Sequence, residues 1–248
     1  MTAKAFLLKD KKALIAGENK FWTKPVAEAL AAAGADVALA AKNNSRLEEA
    51  ASAVGKTGRK ALPLSVDVTS STQVKKAVQQ VLKEFGRIDI LVNTGDIPFF
   101  QPFLKIKGGD WNKVFNYNFL STLNFCRAVG RPMLKQKKGR IINIVSGLGE
   151  RGMANGSAYC VATGAVQQLT RALALEWATK GITVNAIGTG WFAEPGQTVD
   201  SSLTRYIPGK RYGRPEEIGS LAVYLASDVT EFTTGQIMYV DGGLMAHA

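Results

Sequence analysis

Histidine is almost missing from this chain; the single one, His247, sits at the tail. Cysteine is nearly as scarce: Cys126 and Cys160 stand far apart, with no C-x-x-C pairing. Metal sites and disulfide frameworks draw on those two residue types, so neither is expected, and both thiols read as buried core side chains. No apolar run approaches the roughly 18 residues that would span a bilayer, and the stretch over 1–10 has scattered Lys and only a short apolar run, Ala5 to Leu8, so a cytoplasmic location is expected. Acidic residues are the minority, 20 against 31 Lys and Arg, which leaves a formal charge of +11. The basic residues are dispersed over 9–12, 75–76, 135–140 and 205–214, not gathered in a stripe, which argues against a nucleic-acid-binding module. Solvated faces account for most of the surplus, and the remainder suits an anionic ligand such as a phosphate-bearing acyl-CoA, or an acidic partner chain.

What is present is apolar residue in quantity, 46% of 248 residues, enough for one globular domain over 1–248 with a sizeable core. Residues 12–16 form a short apolar run suited to a buried parallel strand, ended by Gly17. A helix is expected over about 24–33, with Thr23 as its N-cap and Pro25 in its first turn. A second strand follows over about 35–41, so this opening reads as a strand–turn–helix–strand unit of the dinucleotide-binding type. Further strands are expected over about 61–68, 88–92, 139–146, 181–187 and 235–243. Helices are expected over about 71–85, closed by Gly86, over about 111–136, and from Tyr159 to about 180. The Gly- and Pro-marked polar stretch over about 190–210 reads as a mobile lid.

The stretch from Ser146 to Thr163 runs from the end of a strand into a helix, with Ser146 and Tyr159 thirteen positions apart. In such a connection a hydroxyl at the strand end and a phenol in the helix's first turn can converge on one oxygen atom, which suits carbonyl or alcohol chemistry. Here the chain resembles the short-chain dehydrogenase/reductase family, in its Ser-to-Tyr spacing, in Asn93 and Asn118, in the helix opening R-x-G-x-P-E-E-I at 211–218 and in the V-D-G-G ending at 240–243. The resemblance covers nearly the whole chain. It implies a single-domain α/β fold of the Rossmann type, a doubly wound parallel sheet of about seven strands with helices on both faces. It also implies roles: Ser146 and Tyr159 at the reacting oxygen, Asn118 as the kink that holds a relay water, Asp67 beside an adenine ring and Asn93 as a brace of the central sheet.

The departures from that pattern are as informative. Thr163 replaces the family's Lys, four residues after the Tyr. A free Tyr titrates near pH 10, so only about one molecule in a thousand carries phenolate at pH 7, and Thr163 supplies no ammonium to lower that value. In the turn after the first strand only Gly17 survives of the glycines that would approach a pyrophosphate, and Phe21 and Trp22 stand where space is needed. Glu18 adds repulsive charge there. Asp96 replaces a glycine near the cofactor, Glu194 replaces a threonine near nicotinamide or phosphate, and Gly188-Thr-Gly190 replaces x-P-G. Lys20 and Lys42 stand where NADP-preferring members carry basic residues.

These changes converge on one ligand, whereas unselected drift would scatter them. The reading is of a member that holds no cofactor of its own and performs no hydride transfer alone, with Asn118, Ser146 and Tyr159 vestigial. The resemblance implies assembly through the helices over about 111–136 and 157–180, and these keep apolar residues at core spacing. The expectation is therefore a non-catalytic subunit in a hetero-oligomer, with an active paralogue of the same family carrying NAD. The family includes a two-subunit alcohol dehydrogenase acting on 2-[hydroxy(phenyl)methyl]-succinyl-CoA that has one degenerate subunit, and this chain is similar to such a subunit. Two alternatives stay open: a halohydrin dehalogenase-like lyase without cofactor, and an NADP-dependent reductase with an altered loop.

Overall fold

The computed structural model describes residues 6–17, 21–42, 44–193 and 196–246. Seven strands, β1 (Lys12–Ala16), β2 (Asp36–Ala41), β3 (Ala61–Ser65), β4 (Ile90–Asn93), β5 (Gly139–Ser146), β6 (Ile182–Thr189) and β7 (Ile237–Val240), form one sheet in the order β3-β2-β1-β4-β5-β6-β7. Every pairing is parallel. Parallel strands need crossover helices, and those helices cover both faces, so the strands themselves must be apolar on both sides. β2, β5 and β6 are buried at every position.

One face is covered by α1 (Thr23–Ala32), α2 (Asn44–Lys56) and α7 (Glu216–Ala226), whose Val26, Leu30, Leu47, Val54, Ile218 and Leu225 share a core with Ile15 and Leu39. The other is covered by α3 (Ser71–Phe85), α5 (Ser121–Gln136) and α6 (Ser157–Trp177), whose Val74, Val78, Phe125, Met133 and Trp177 pack with Leu14 and Leu91. α3 shows how locally this is encoded. Ser70 accepts a hydrogen bond from Gln73 N at 3.4 Å and caps the start, valines at helical spacing face the sheet, and Gly86 closes the end in the left-handed region, φ 78°.

Several expectations are corrected. Thr23 does not cap α1: the helix begins at Thr23 itself, and the Thr23 hydroxyl lies 3.3 Å from that of Thr94. The long helix expected over 111–136 is divided into α4 (Gly108–Phe115) and α5 by a π-helical turn, Asn116–Leu120, which contains Asn118, the position where the resemblance implies a kink. Cys126 is fully buried, and burial pushes its thiol up to about 12, but Cys160 is only half-buried. α2 was not anticipated at all, although Leu47, Ala50 and Val54 bury one face of it. No helix among the described residues is long and apolar enough to cross a membrane.

The strand order reverses beside β1: β2 lies to one side and β4 to the other. At such a point the two following connections diverge and leave a crevice at the carboxyl ends of the strands. Gly17 after β1, Thr94 to Asp96 after β4 and Ser146 at the end of β5 all belong to this edge.

Candidate functional site

Ser146 is held from α6. Its backbone N–H donates to Thr163 Oγ1 at 3.1 Å and its carbonyl accepts from Gln167 Nε2 at 3.2 Å. Thr163 and Gln167 are four residues apart and so lie on one face of the helix. The close approach depends on glycine: a Cβ at Gly149 would lie 2.8 Å from Gln167 Nε2, and one at Gly164 would lie 3.0 Å from the Gly149 carbonyl oxygen. Thr163 is therefore a structural link between strand end and helix, buried and hydrogen-bonded, not an empty position. The Ser146 hydroxyl accepts from Leu148 N at 3.2 Å.

Tyr159 sits in the first turn of α6, as its spacing predicts, and Ser146 is near enough to pull its titration downward. Its hydroxyl, however, donates to the carboxyl of Asp96 in a short hydrogen bond. Both side chains are buried, at 3% and 6% exposure. Desolvation and the neighbouring carboxylate push the Tyr159 phenol well above its ordinary value. Desolvation likewise raises the Asp96 carboxyl, against the opposing pull of its bond from Tyr159. The expected role of Asp96 is thus corrected in part: its bulk and charge are turned onto the tyrosine, and its burial disfavours the anion.

Trp22 acts on the same carboxyl, though its Nε1 has no partner at hydrogen-bond geometry. At 3% exposure the indole belongs to the core; it meets Phe192 edge-on with ring centroids 4.9 Å apart and Phe21 at 5.6 Å. Burial of one large aromatic side chain stabilises by about 1.5–3 kcal/mol, so this cluster is a packed feature of the domain. Gly17 lies flat against the next strand end: its φ is 145°, and a Cβ there would stand 2.6 Å from the backbone of Thr94 and Gly95. That leaves no room for another residue type at this turn.

Asn118, in the π turn, accepts from Ile97 N at 2.6 Å and donates to Ile97 O at 3.1 Å and Val114 O at 2.9 Å. It fixes the backbone one residue beyond Asp96. Asn93 donates to Asn143 Oδ1 at 2.8 Å, and Asn143 donates to Thr170 Oγ1 at 2.8 Å, which ties β4, β5 and α6 together. Asp67 is used locally, accepting from Thr69 N at 3.0 Å and from its hydroxyl at 2.7 Å. The Thr69 hydroxyl foremost, with the exposed Lys42 adding to it, lowers the Asp67 carboxyl. Glu18, Lys20, Glu194 and His247 lie outside the described residues. The structure thus brings Gly17, Trp22, Asp96, Tyr159, Ser146 and Thr163 into one connected group, while Asp67 stands apart from it.

Beside Ser146 opens a cavity of about 670 Å³, walled by Phe100, Leu148, Met153, Leu203, Leu244 and Met245. Trp191, Leu203 and Tyr206, from the segment expected as a lid, form part of its lining. Sequence reasoning missed most of these residues, because they come from four separate loops and share no periodicity. Nor did it anticipate Phe192 as the partner of Trp22, or the bond between Asp96 and Tyr159. No cluster of three or more His, Cys, Asp or Glu suited to a metal occurs among the described residues.

Comparison with known proteins gives a consistent result. Residues 23–245 match the sequence profile of the family described as enoyl-(acyl carrier protein) reductase. The chain is 34% identical to 3-oxoacyl-[acyl-carrier-protein] reductase of Chlamydia trachomatis, over 96% of this chain and 98% of that one. It is equally 34% identical to 2-dehydro-3-deoxy-D-gluconate 5-dehydrogenase of Bacillus subtilis, over 98% and 97%. Among solved structures, a short-chain type dehydrogenase/reductase from Mycobacterium marinum superposes with a TM-score of 0.92 at 34% identity, covering both chains completely. A gluconate 5-dehydrogenase from Burkholderia cenocepacia, solved with NADP and tartrate, gives 0.91 at 30% identity and 99% coverage of both chains.

Proposed function

Since the chain belongs to the short-chain dehydrogenase/reductase family of oxidoreductases, we propose that it is a cytoplasmic member whose own dinucleotide site is closed, and that it serves as the ligand-binding, non-redox subunit beside an active paralogue that carries NAD. The observations that support this reading are two contacts: Trp22 is buried at the start of α1 against Phe192, and the Asp96 carboxyl engages the Tyr159 hydroxyl. A pyrophosphate needs open backbone N–H groups at a helix N-terminus, and here Trp22 stands at the N-cap with its indole packed into the core. On this reading these residues do not fit a bound dinucleotide. A phenol raised by burial and held on a carboxylate is also a poor proton donor or acceptor at neutral pH. The substrate of the complex is proposed to be a hydroxyacyl-CoA, of which 2-[hydroxy(phenyl)methyl]-succinyl-CoA is the example drawn from the family.

Support for assembly comes from α6, where Val161 and Leu175 are exposed apolar residues, at 50% and 84%, on one of the two helices through which the family pairs. A second reading is favoured by the retained Asn118, Ser146 and Tyr159 and by the reductases among the relatives: an NADP-dependent reductase with a re-routed loop. Titration of the purified chain with NADH and NADPH, followed by calorimetry and Trp fluorescence, separates the two. The expected outcome is no binding up to millimolar cofactor; micromolar binding would overturn the closed-site reading in favour of the reductase.

A further inference from the structure

We infer that the cavity beside Ser146 takes a predominantly apolar acyl group ending in a carboxylate, and not a polyhydroxylated acid. This deepens the reading of the chain as a ligand-binding subunit by naming what that subunit holds. The relatives are named for both kinds of compound, 3-oxoacyl chains and gluconates, so family membership leaves the choice open.

The lining decides it. A sugar acid brings a hydroxyl on nearly every carbon, and each one buried without a partner is costly. The walls offer few partners. Phe100, Leu148, Met153, Leu203, Leu244 and Met245 present carbon, sulfur and aromatic surface. Of the polar side chains there, Thr189 already donates to Val145 O at 3.2 Å, Ser146 already accepts from Leu148 N, the Tyr206 hydroxyl already accepts from Arg205 Nη2 at 2.6 Å, and Asn155 stands exposed at the rim. The apolar surface continues out to the rim: Phe100, Met153 and Tyr206 are 51%, 40% and 49% exposed. Large hydrophobic side chains gathered at the mouth of a cavity gain most by covering an apolar ligand.

The charged group in the lining is Arg151. Its Nη1 donates to Leu244 O at 2.6 Å, which fixes the guanidinium against the cavity wall. A guanidinium carries five N–H donors, and no described carboxylate lies within ion-pair distance of Arg151. A guanidinium with donors to spare binds a planar carboxylate through two parallel hydrogen bonds. The net charge of +11 draws an anion toward it.

The test is calorimetric titration of the purified full-length chain with sodium octanoate, octanamide and sodium gluconate. Octanoate is expected to bind at least tenfold more tightly than gluconate. Met153→Asp, at a rim position that is 40% exposed, should weaken octanoate about tenfold. Arg151→Gln should weaken octanoate about fivefold and leave octanamide unchanged. Gluconate binding as tightly as octanoate, absence of heat with octanoate, or indifference of octanoate to either variant would overturn the inference. The titrations contain no nucleotide, so cofactor binding in the separate NADH experiment would overturn the closed-site reading and leave this preference standing.

Discussion

At the scale of single residues, the chemistry turns on where one carboxyl points. Asp96 in the sequence reads as a charge placed against a cofactor; in the fold its carboxyl receives the Tyr159 hydroxyl, and both are buried. Its folded-state titration is raised above the ordinary carboxylate value by desolvation. A group raised on folding contributes its stability fully below its unfolded value and loses it as pH rises through the folded value. Asp96→Asn keeps an acceptor for Tyr159 without the buried charge. The variant is therefore expected to be more stable than the parent at pH 8 and to have lost that advantage at pH 4, as read by denaturant unfolding at both pH values. A parent that is the more stable of the two at pH 8 would mean that the ionised pair is favourable.

At the scale of elements, the start of α7 shows the opposite electrostatic case. Arg211 grips Glu217 through two hydrogen bonds of 2.9 and 2.7 Å, and Glu217 also accepts from Arg214 N at 2.8 Å. Arg211, foremost, holds the Glu217 carboxyl down at about 2 from an ordinary 4.5. A depressed carboxylate contributes stability above pH 4.5 that is lost as pH falls toward 2. The pair is solvent-screened, so the contribution is below about 1 kcal/mol. Glu217→Gln should lower stability by that amount at pH 6 and make no difference near pH 2, which paired urea titrations would show. The P-E-E-I signature thus organises a helix start, and its glutamate is structural. α2 illustrates a limit of the same scale: its apolar face rests on Leu47, Ala50 and Val54 in a stretch otherwise rich in charge and small residues, a weak periodic signal that tertiary packing completes.

At the scale of the whole molecule, α6 joins the site to the surface, with Thr163 and Gln167 facing Ser146 and with Val161 and Leu175 facing outward. The double variant Val161→Glu, Leu175→Glu is expected to keep its fold and lose any co-purifying dehydrogenase subunit, as measured by size-exclusion chromatography and mass spectrometry from the native source. Retention of the partner would place the interface elsewhere. The sequence by itself determined the sheet, because buried parallel strands must be apolar runs and their connections must be helices, and both patterns are local along the chain. It also determined the places of Ser146 and Tyr159, since a strand end and a first helical turn at that spacing leave little freedom. Only the tertiary structure decided what those residues touch. Trp22 meets Phe192, Asp96 meets Tyr159, and four loops wall one cavity. Each of these contacts joins segments far apart in sequence, and such contacts depend on how layers pack, which no spacing along a single chain encodes.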